Sequence, residues 1–117
     1  MKTLVTAVLA AASATALAAP KAESAMECGI AADMAVVARS LAQEAVQRPQ
    51  ATAIMARIYD VSESTRGREL MRDILDAAYR QDSAAGGATT SQKFAEDLFT
   101  ACMKTGGNMD TVLGSRL

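Results

Sequence analysis

The chain contains no histidine and no tryptophan, and only four of its residues are tyrosine or phenylalanine. Without histidine, general base catalysis would depend on a carboxylate, a lysine or an amine. No serine lies in a G-x-S-x-G turn, and Asp73 and Asp76 have no further catalytic carboxylate in view. We therefore predict that the protein is not an enzyme and that it uses no cofactor.

Cysteine is also scarce, with only Cys28 and Cys102 in the chain. Their spacing excludes a CxxC redox pair, and two thiolates without histidine cannot complete a typical zinc shell. The methionines are dispersed along the chain, a pattern that fits core filling better than a clustered Cu(I) site. No metal site is predicted.

The first 18 residues are typical of a secretion signal. Met1–Lys2 supplies a short positive start, Thr3 to Leu17 is uncharged and alanine-rich, and Ala16-Leu17-Ala18 is an A-x-A cleavage site. We expect cleavage between Ala18 and Ala19, because a cut one residue later would leave Pro20 first. An uncleaved anchor is the alternative, but a spanning helix needs about 20 apolar residues. The segment therefore predicts a periplasmic or secreted protein without stable membrane insertion after cleavage.

Cleavage removes only one charged residue, Lys2, and leaves 99 residues with 11 basic and 13 acidic side chains, a net charge of −2. This balance argues against a nucleic-acid partner and provides no polybasic patch for anionic lipid. Two cysteines in an exported protein usually pair, so we predict a disulfide between Cys28 and Cys102. Closing so long a loop is worth roughly 4–5 kcal/mol in the chain-entropy model.

Hydrophobic periodicity is helical throughout and predicts an all-α domain over residues 27–117, after a flexible segment at 19–26. We expect helices at about 27–47, from Arg48-Pro49 onward, at 68–81 and at 91–104. The fold is therefore a small four-helix bundle with one disulfide, and a fifth helical turn forms if the tail docks through Met109, Val112 and Leu113.

Each predicted helix has an apolar face. In the first helix a stripe of larger side chains runs beside a stripe of alanines, which lets another helix pack closely. The predicted core positions are Ile30, Met34, Val37 and Leu41, beside Ala31, Ala35, Ala38 and Ala42; Ala51, Ile54, Met55, Ile58 and Val61; Leu70, Met71, Ile74, Leu75 and Ala78; and Ala95, Leu98, Phe99 and Cys102. Tyr59 and Tyr79 are expected at the rim of the core.

The charged face of the third helix, with predicted pairs Arg72–Asp76 and Asp76–Arg80, is interpreted as solvated surface and not as an acid–base or anion site. Residues 82–90 form a predicted loop around Gly86 and Gly87, without the strand and Lys-Ser/Thr of a phosphate-binding loop. Because loops on rigid scaffolds often carry function, Gly86, Gly87 and the tail after Gly106 are the candidate binding positions.

Three motifs carry a resemblance: Cys28 before an alanine-rich helix, Leu75-x-x-Ala78-Tyr79, and Leu98-Phe99-x-x-Cys102. They resemble a loose group of small exported helical two-cysteine proteins of Gram-negative bacteria with no assigned function. The size, the helices and the position of Cys102 before an apolar tail are also similar to periplasmic immunity proteins that neutralise type VI secretion amidase effectors. No site residue is transferred from either.

The expected function is a non-catalytic exported domain that binds an unknown protein or small molecule in the cell envelope. Two alternatives stay open. One is an immunity or inhibitor protein against a secreted toxin, and the other is a small periplasmic stress chaperone.

Overall fold

The computed structural model describes residues 22–84 and 90–114, with side chains at 22–80 and 90–114. This part of the chain holds five helices and no β-strand: α1 (Ala25–Gln43), α2 (Arg48–Ile58), α3 (Thr65–Ala84), α4 (Ser91–Lys104) and α5 (Asp110–Leu113). The predicted all-α bundle with a short C-terminal turn is confirmed. The predicted signal segment 1–18, with its cleavage site between Ala18 and Ala19, lies outside the described residues.

Helix α1 begins and ends with specific backbone caps. The Ser24 hydroxyl accepts a hydrogen bond from the Glu27 amide at 3.2 Å and satisfies one of the free N–H groups of the first turn. At the other end, Ala45 adopts a positive φ of 59°, while the Val46 amide donates to the Leu41 carbonyl at 3.0 Å. This is a Schellman motif with alanine where glycine is usual. The helix therefore ends at Gln43, four residues before the predicted end.

The other long helices begin where the sequence provides a proline or a hydroxyl. Pro49 lies in the first turn of α2, where its missing N–H costs nothing. The Ser64 hydroxyl accepts from the Gly67 amide at 2.9 Å, so α3 begins at Thr65, three residues earlier than predicted. Thr90 caps α4 by accepting from the Lys93 amide at 3.0 Å.

The alanine stripe of α1 lies in the core, and α4 and α3 are the two helices that α1 contacts most. Its members Ala31, Ala35, Ala38 and Ala42 are buried. The predicted stripe of larger residues lies to one side. Met34 is buried, Val37 and Leu41 are half-buried, and Ile30 is 42% exposed. The prediction of a buried Ile30 is wrong, since close packing occurs on the alanine side.

Two further helix faces differ from the prediction. On α2 only Ala51 and Met55 are buried, while Ile54 and Ile58 are exposed, since the short helix touches the core along a narrow stripe. On α4 the buried face is Phe94, Ala95, Leu98 and Cys102, so the helix is rotated away from the predicted contact of Phe99. All five predicted core residues of α3 are buried.

A disulfide joins Cys28 of α1 to Cys102 of α4, with Cα atoms 5.7 Å apart, as predicted. Beside it, the segment before α1 packs against the turn after α4, where the Ala22 amide donates to the Gly107 carbonyl at 3.1 Å. Gly107 has a φ of +99°, and a Cβ there would lie 2.1 Å from the Ala22 carbonyl oxygen, so only glycine fits. The tail then docks, with Met109 and Leu113 buried.

Two charged residues of α3 contact other elements and not each other. Asp76 accepts from Arg48 of α2 at 2.7 Å, and Arg80 donates to the Leu113 carbonyl at 2.8 Å. The predicted pairs Arg72–Asp76 and Asp76–Arg80 are not formed, and Arg72 lies 4.0 Å from Asp73 instead. Tyr79 is half-buried at the rim, as predicted, and donates to the Val46 carbonyl at 2.6 Å. Within the described residues, no helix combines the length and hydropathy needed to cross a membrane.

Candidate functional site

An open apolar groove of about 680 Å³ runs between α1 and α4. We call its small lining residues, Gly29, Ala32 and Ala95, the floor of the groove. Val36 and Phe99 are its larger apolar lining residues, and all of its polar lining residues come from α4. The lining residues are Gly29, Ala32 and Val36 from α1 and Ser91, Gln92, Ala95, Glu96, Phe99 and Thr100 from α4.

The groove exposes two large apolar side chains, Val36 and Phe99. Val36 is 40% exposed and Phe99 is 41% exposed, although both belong to helices whose other faces are buried. Phe99 lies outside the core because Phe94, five residues earlier, fills the interior and is 1% exposed. An aromatic side chain held at the edge of a small-residue floor provides a large contact area for another molecule.

The groove lies on a braced pair of helices. Apart from the disulfide, the Ser40 and Ser91 hydroxyl oxygens lie 2.8 Å apart, and the Ser91 hydroxyl donates to the Gln43 side chain at 3.2 Å. These contacts hold the end of α1 against the start of α4, whereas the disulfide joins the opposite end of the pair. The two walls are therefore fixed relative to each other at both ends, which reduces the ordering cost of binding.

The charge that lines the groove is negative. Glu96 is its one charged lining residue, and its carboxylate accepts a hydrogen bond from the neutral Gln92 amide at 3.2 Å. The nearest lysine along the helix, Lys93, is paired with Asp97 at 2.8 Å, and this hydrogen bond raises the pKa of the lysine. The groove therefore favours a partner with an apolar surface and a positive charge beside it.

A smaller apolar cavity of about 150 Å³ lies between α1 and the start of α3. Ile30, Met34 and Leu70 are among its lining residues, and an ion pair between Glu27 and Arg66 lies at its edge, with an N–O distance of 2.6 Å. The hydrogen bond from Arg66 lowers the pKa of the Glu27 carboxyl below its usual value. Protonation of Glu27 would weaken this contact.

The candidate positions from the sequence have separate outcomes. Gly86 and Gly87 lie outside the described residues. In the tail after Gly106, Gly107, Met109 and Leu113 are buried against the bundle, while Thr111 and Gly114 are exposed, so a binding role for this tail stays a prediction. Sequence reasoning missed the groove, although the small residues Gly29 and Ala32, three positions apart beside the alanine stripe, were a usable indication of it.

No group of three or more carboxylate or thiol side chains in the described part of the chain lies close enough to hold a metal ion. The Tyr59 hydroxyl donates to the Asp33 carboxylate, and burial together with this carboxylate raises the tyrosine pKa, so the phenol stays protonated. The pair accordingly acts as a structural contact between α1 and the end of α2.

No known family model matches the sequence, and neither a curated protein nor a solved structure is significantly similar to it. The class of the protein is therefore defined by its fold, a small all-α bundle with one disulfide between the first and the fourth helix.

Proposed function

We propose that this protein is a non-catalytic binding protein of the cell envelope, which holds a partner protein in the groove between α1 and α4. The observation that carries this proposal is the exposed apolar lining, with Phe99 and Val36 above a floor of small residues on two braced helices. An exported domain without candidate catalytic groups has to act through contact, and exposed apolar patches of this kind mark interaction sites.

A helix is the partner shape that fits this groove best. The part of α1 that lines the groove, from Gly29 to Val36, is about 10 Å long, and the part of α4 from Ser91 to Thr100 is about 14 Å long. These lengths correspond to two or three turns of a bound helix. Small residues on the floor allow the close approach that helix packing needs. The single carboxylate of Glu96 favours an amphipathic helix with basic residues beside its apolar stripe.

A capture experiment from envelope extract tests this proposal. The mature oxidised protein is the bait, compared with Phe99→Lys and Val36→Lys in the groove. Ile58→Lys is the matched control, since Ile58 is an exposed apolar residue of α2 outside the groove. We expect a partner that both groove variants lose and the control retains, with unchanged thermal unfolding of each variant.

Equal capture by all four proteins would contradict the proposal. Sedimentation as a dimer that dissociates when Phe99 is replaced would also contradict the proposal, because a second copy of the chain would then occupy the groove. A captured toxin that loses activity in the complex would make the protein an immunity or inhibitor protein, which would use the same surface.

One observation favours the stress-chaperone alternative. The Glu27–Arg66 ion pair lies at the edge of the apolar cavity that Ile30, Met34 and Leu70 line, and acid would protonate Glu27. Loss of the pair at low pH would expose more apolar surface for unfolded clients. An apolar fluorescent dye should then bind below about pH 4 and not at pH 7, whereas unchanged dye binding would remove this candidate.

A further inference from the structure

A second cavity, of about 410 Å³, lies between α2 and α3 on another part of the surface. Three of its lining residues are arginines, Arg48 from α2 and Arg68 and Arg72 from α3, and Glu69 is the only carboxylate among them. Met71 and Leu75 contribute apolar surface to the same cavity. This concentration of positive charge is unexpected in a chain whose formal net charge is −1.

The carboxylates next to these arginines neutralise them only in part. Arg48 pairs with Asp76 at 2.7 Å, which fixes its guanidinium group beside the cavity. Arg68 donates to main-chain carbonyls, including that of Val61 at 3.4 Å, and no carboxylate pairs with it among the described residues. The Nε atom of Arg72 lies 4.0 Å from an Asp73 carboxylate oxygen, at the limit of an ion pair.

The placement of Arg68 and Arg72 is unfavourable for the helix itself. The two residues are four positions apart and line the same cavity, and like charges at this spacing destabilise an isolated helix. Arg48 adds a third positive charge from the neighbouring helix. Arg68 gains hydrogen bonds to main-chain carbonyls before α3, but among the described residues Arg72 has only the 4.0 Å contact with Asp73 to offset this cost. An arrangement that costs helix stability in this way is expected at a functional site.

We propose that the cavity between α2 and α3 binds a phosphate group of a small ligand, held by the guanidinium groups of Arg48, Arg68 and Arg72. Planar guanidinium groups donate paired hydrogen bonds to oxyanions, and phosphate accepts such bonds from several arginines at once. The Thr65 hydroxyl, which accepts from Arg68 at 3.2 Å, orients that side chain beside the cavity. The apolar surface of Met71 and Leu75 gives a non-polar part of the ligand a place to pack.

Isothermal titration of the mature oxidised protein with inorganic phosphate and with pyrophosphate tests the site. We expect saturable binding that weakens as salt is added and becomes about tenfold weaker in Arg68→Gln and in Arg72→Gln. Arg57→Gln is the matched control, because Arg57 is an exposed arginine of α2 that does not line the cavity. The control should bind as the wild-type protein does.

Thermal unfolding without phosphate separates a binding role from a structural one. Arg72→Gln removes one of two like charges and should unfold at the same temperature as the wild-type protein or higher. Lower stability of Arg68→Gln or Arg72→Gln together with unchanged phosphate affinity would overturn the proposal, as would equal affinity in all four proteins. Absence of saturation by phosphate and pyrophosphate, together with no binding to vesicles, would also overturn it. Vesicles that contain phosphatidylglycerol identify the source, since binding to vesicles and not to free phosphate would place the phosphate in a lipid headgroup.

Discussion

Removal of the disulfide should be among the most damaging changes in this fold, because the bond joins two cysteines 74 positions apart and closes a loop that includes α2 and α3. The chain-entropy model gives about 15 cal/mol/K for a loop of this length, which is about 4.4 kcal/mol at 25 °C. A domain of this size has a total unfolding free energy of about 5–15 kcal/mol. The alanine-rich centre of the core adds less transfer free energy than larger side chains would. The bond is therefore a large part of the total.

The test compares the oxidised protein with the double variant Cys28→Ala, Cys102→Ala in urea and thermal unfolding. We expect a loss of about 4.4 kcal/mol at 25 °C, or about 18–35 °C in melting temperature. The double variant with and without reductant is the control, since reductant should change only the oxidised wild-type protein. A loss below about 1 kcal/mol would refute the reasoning, because it would mean that the unfolded chain is already restricted without the bond.

Three other changes probe the caps, the core and the ion pair. Ala45→Gly should stabilise the protein by about 0.5–1 kcal/mol in urea unfolding, because φ at this position is positive; a loss would contradict the cap. Phe94→Ala should cost about 3–5 kcal/mol and Phe99→Ala far less, and equal costs would contradict the observed rotation of α4. Glu27→Gln should lower stability at pH 7 by under about 1 kcal/mol. The variant should also lose less stability than the wild-type protein below about pH 4.5. The lowered pKa of Glu27 makes this stabilisation present above the ordinary glutamate pKa and lost as pH falls.

The sequence predicted the helices because hydrophobic periodicity is a local property. It predicted the disulfide because the chain has only two cysteines, Cys28 and Cys102. The limits of α4 agree with the prediction, since Thr90 caps its start. The end of α1 was missed because the positive φ of Ala45 has no counterpart in residue type. A Schellman motif usually has glycine at this position, so the alanine in the sequence did not indicate that the helix ends here.

The candidate sites were harder to predict because both lie between helices. The groove depends on which side of α1 meets α4, and a helix with two adjacent apolar stripes leaves that choice open until the partner helix is placed. The sequence predicted both stripes as core, and in the structure the alanines are buried while Ile30 is 42% exposed. The arginine cavity is lined by Arg48 of α2 and by residues of α3. The hydrophobic pattern of one helix does not indicate which residues of another helix will lie beside it.

Photo-crosslinking in intact cells of the source organism is the sharpest test of the groove as a binding site, because it reports which surface of the protein is occupied in the cell. Benzoylphenylalanine replaces Phe99 in the groove or Ile58 outside it, and the cells are irradiated. We predict a discrete crosslinked partner from position 99 and none from position 58. Crosslinks from position 58 alone, or the same partner from both positions, would contradict a binding site between α1 and α4.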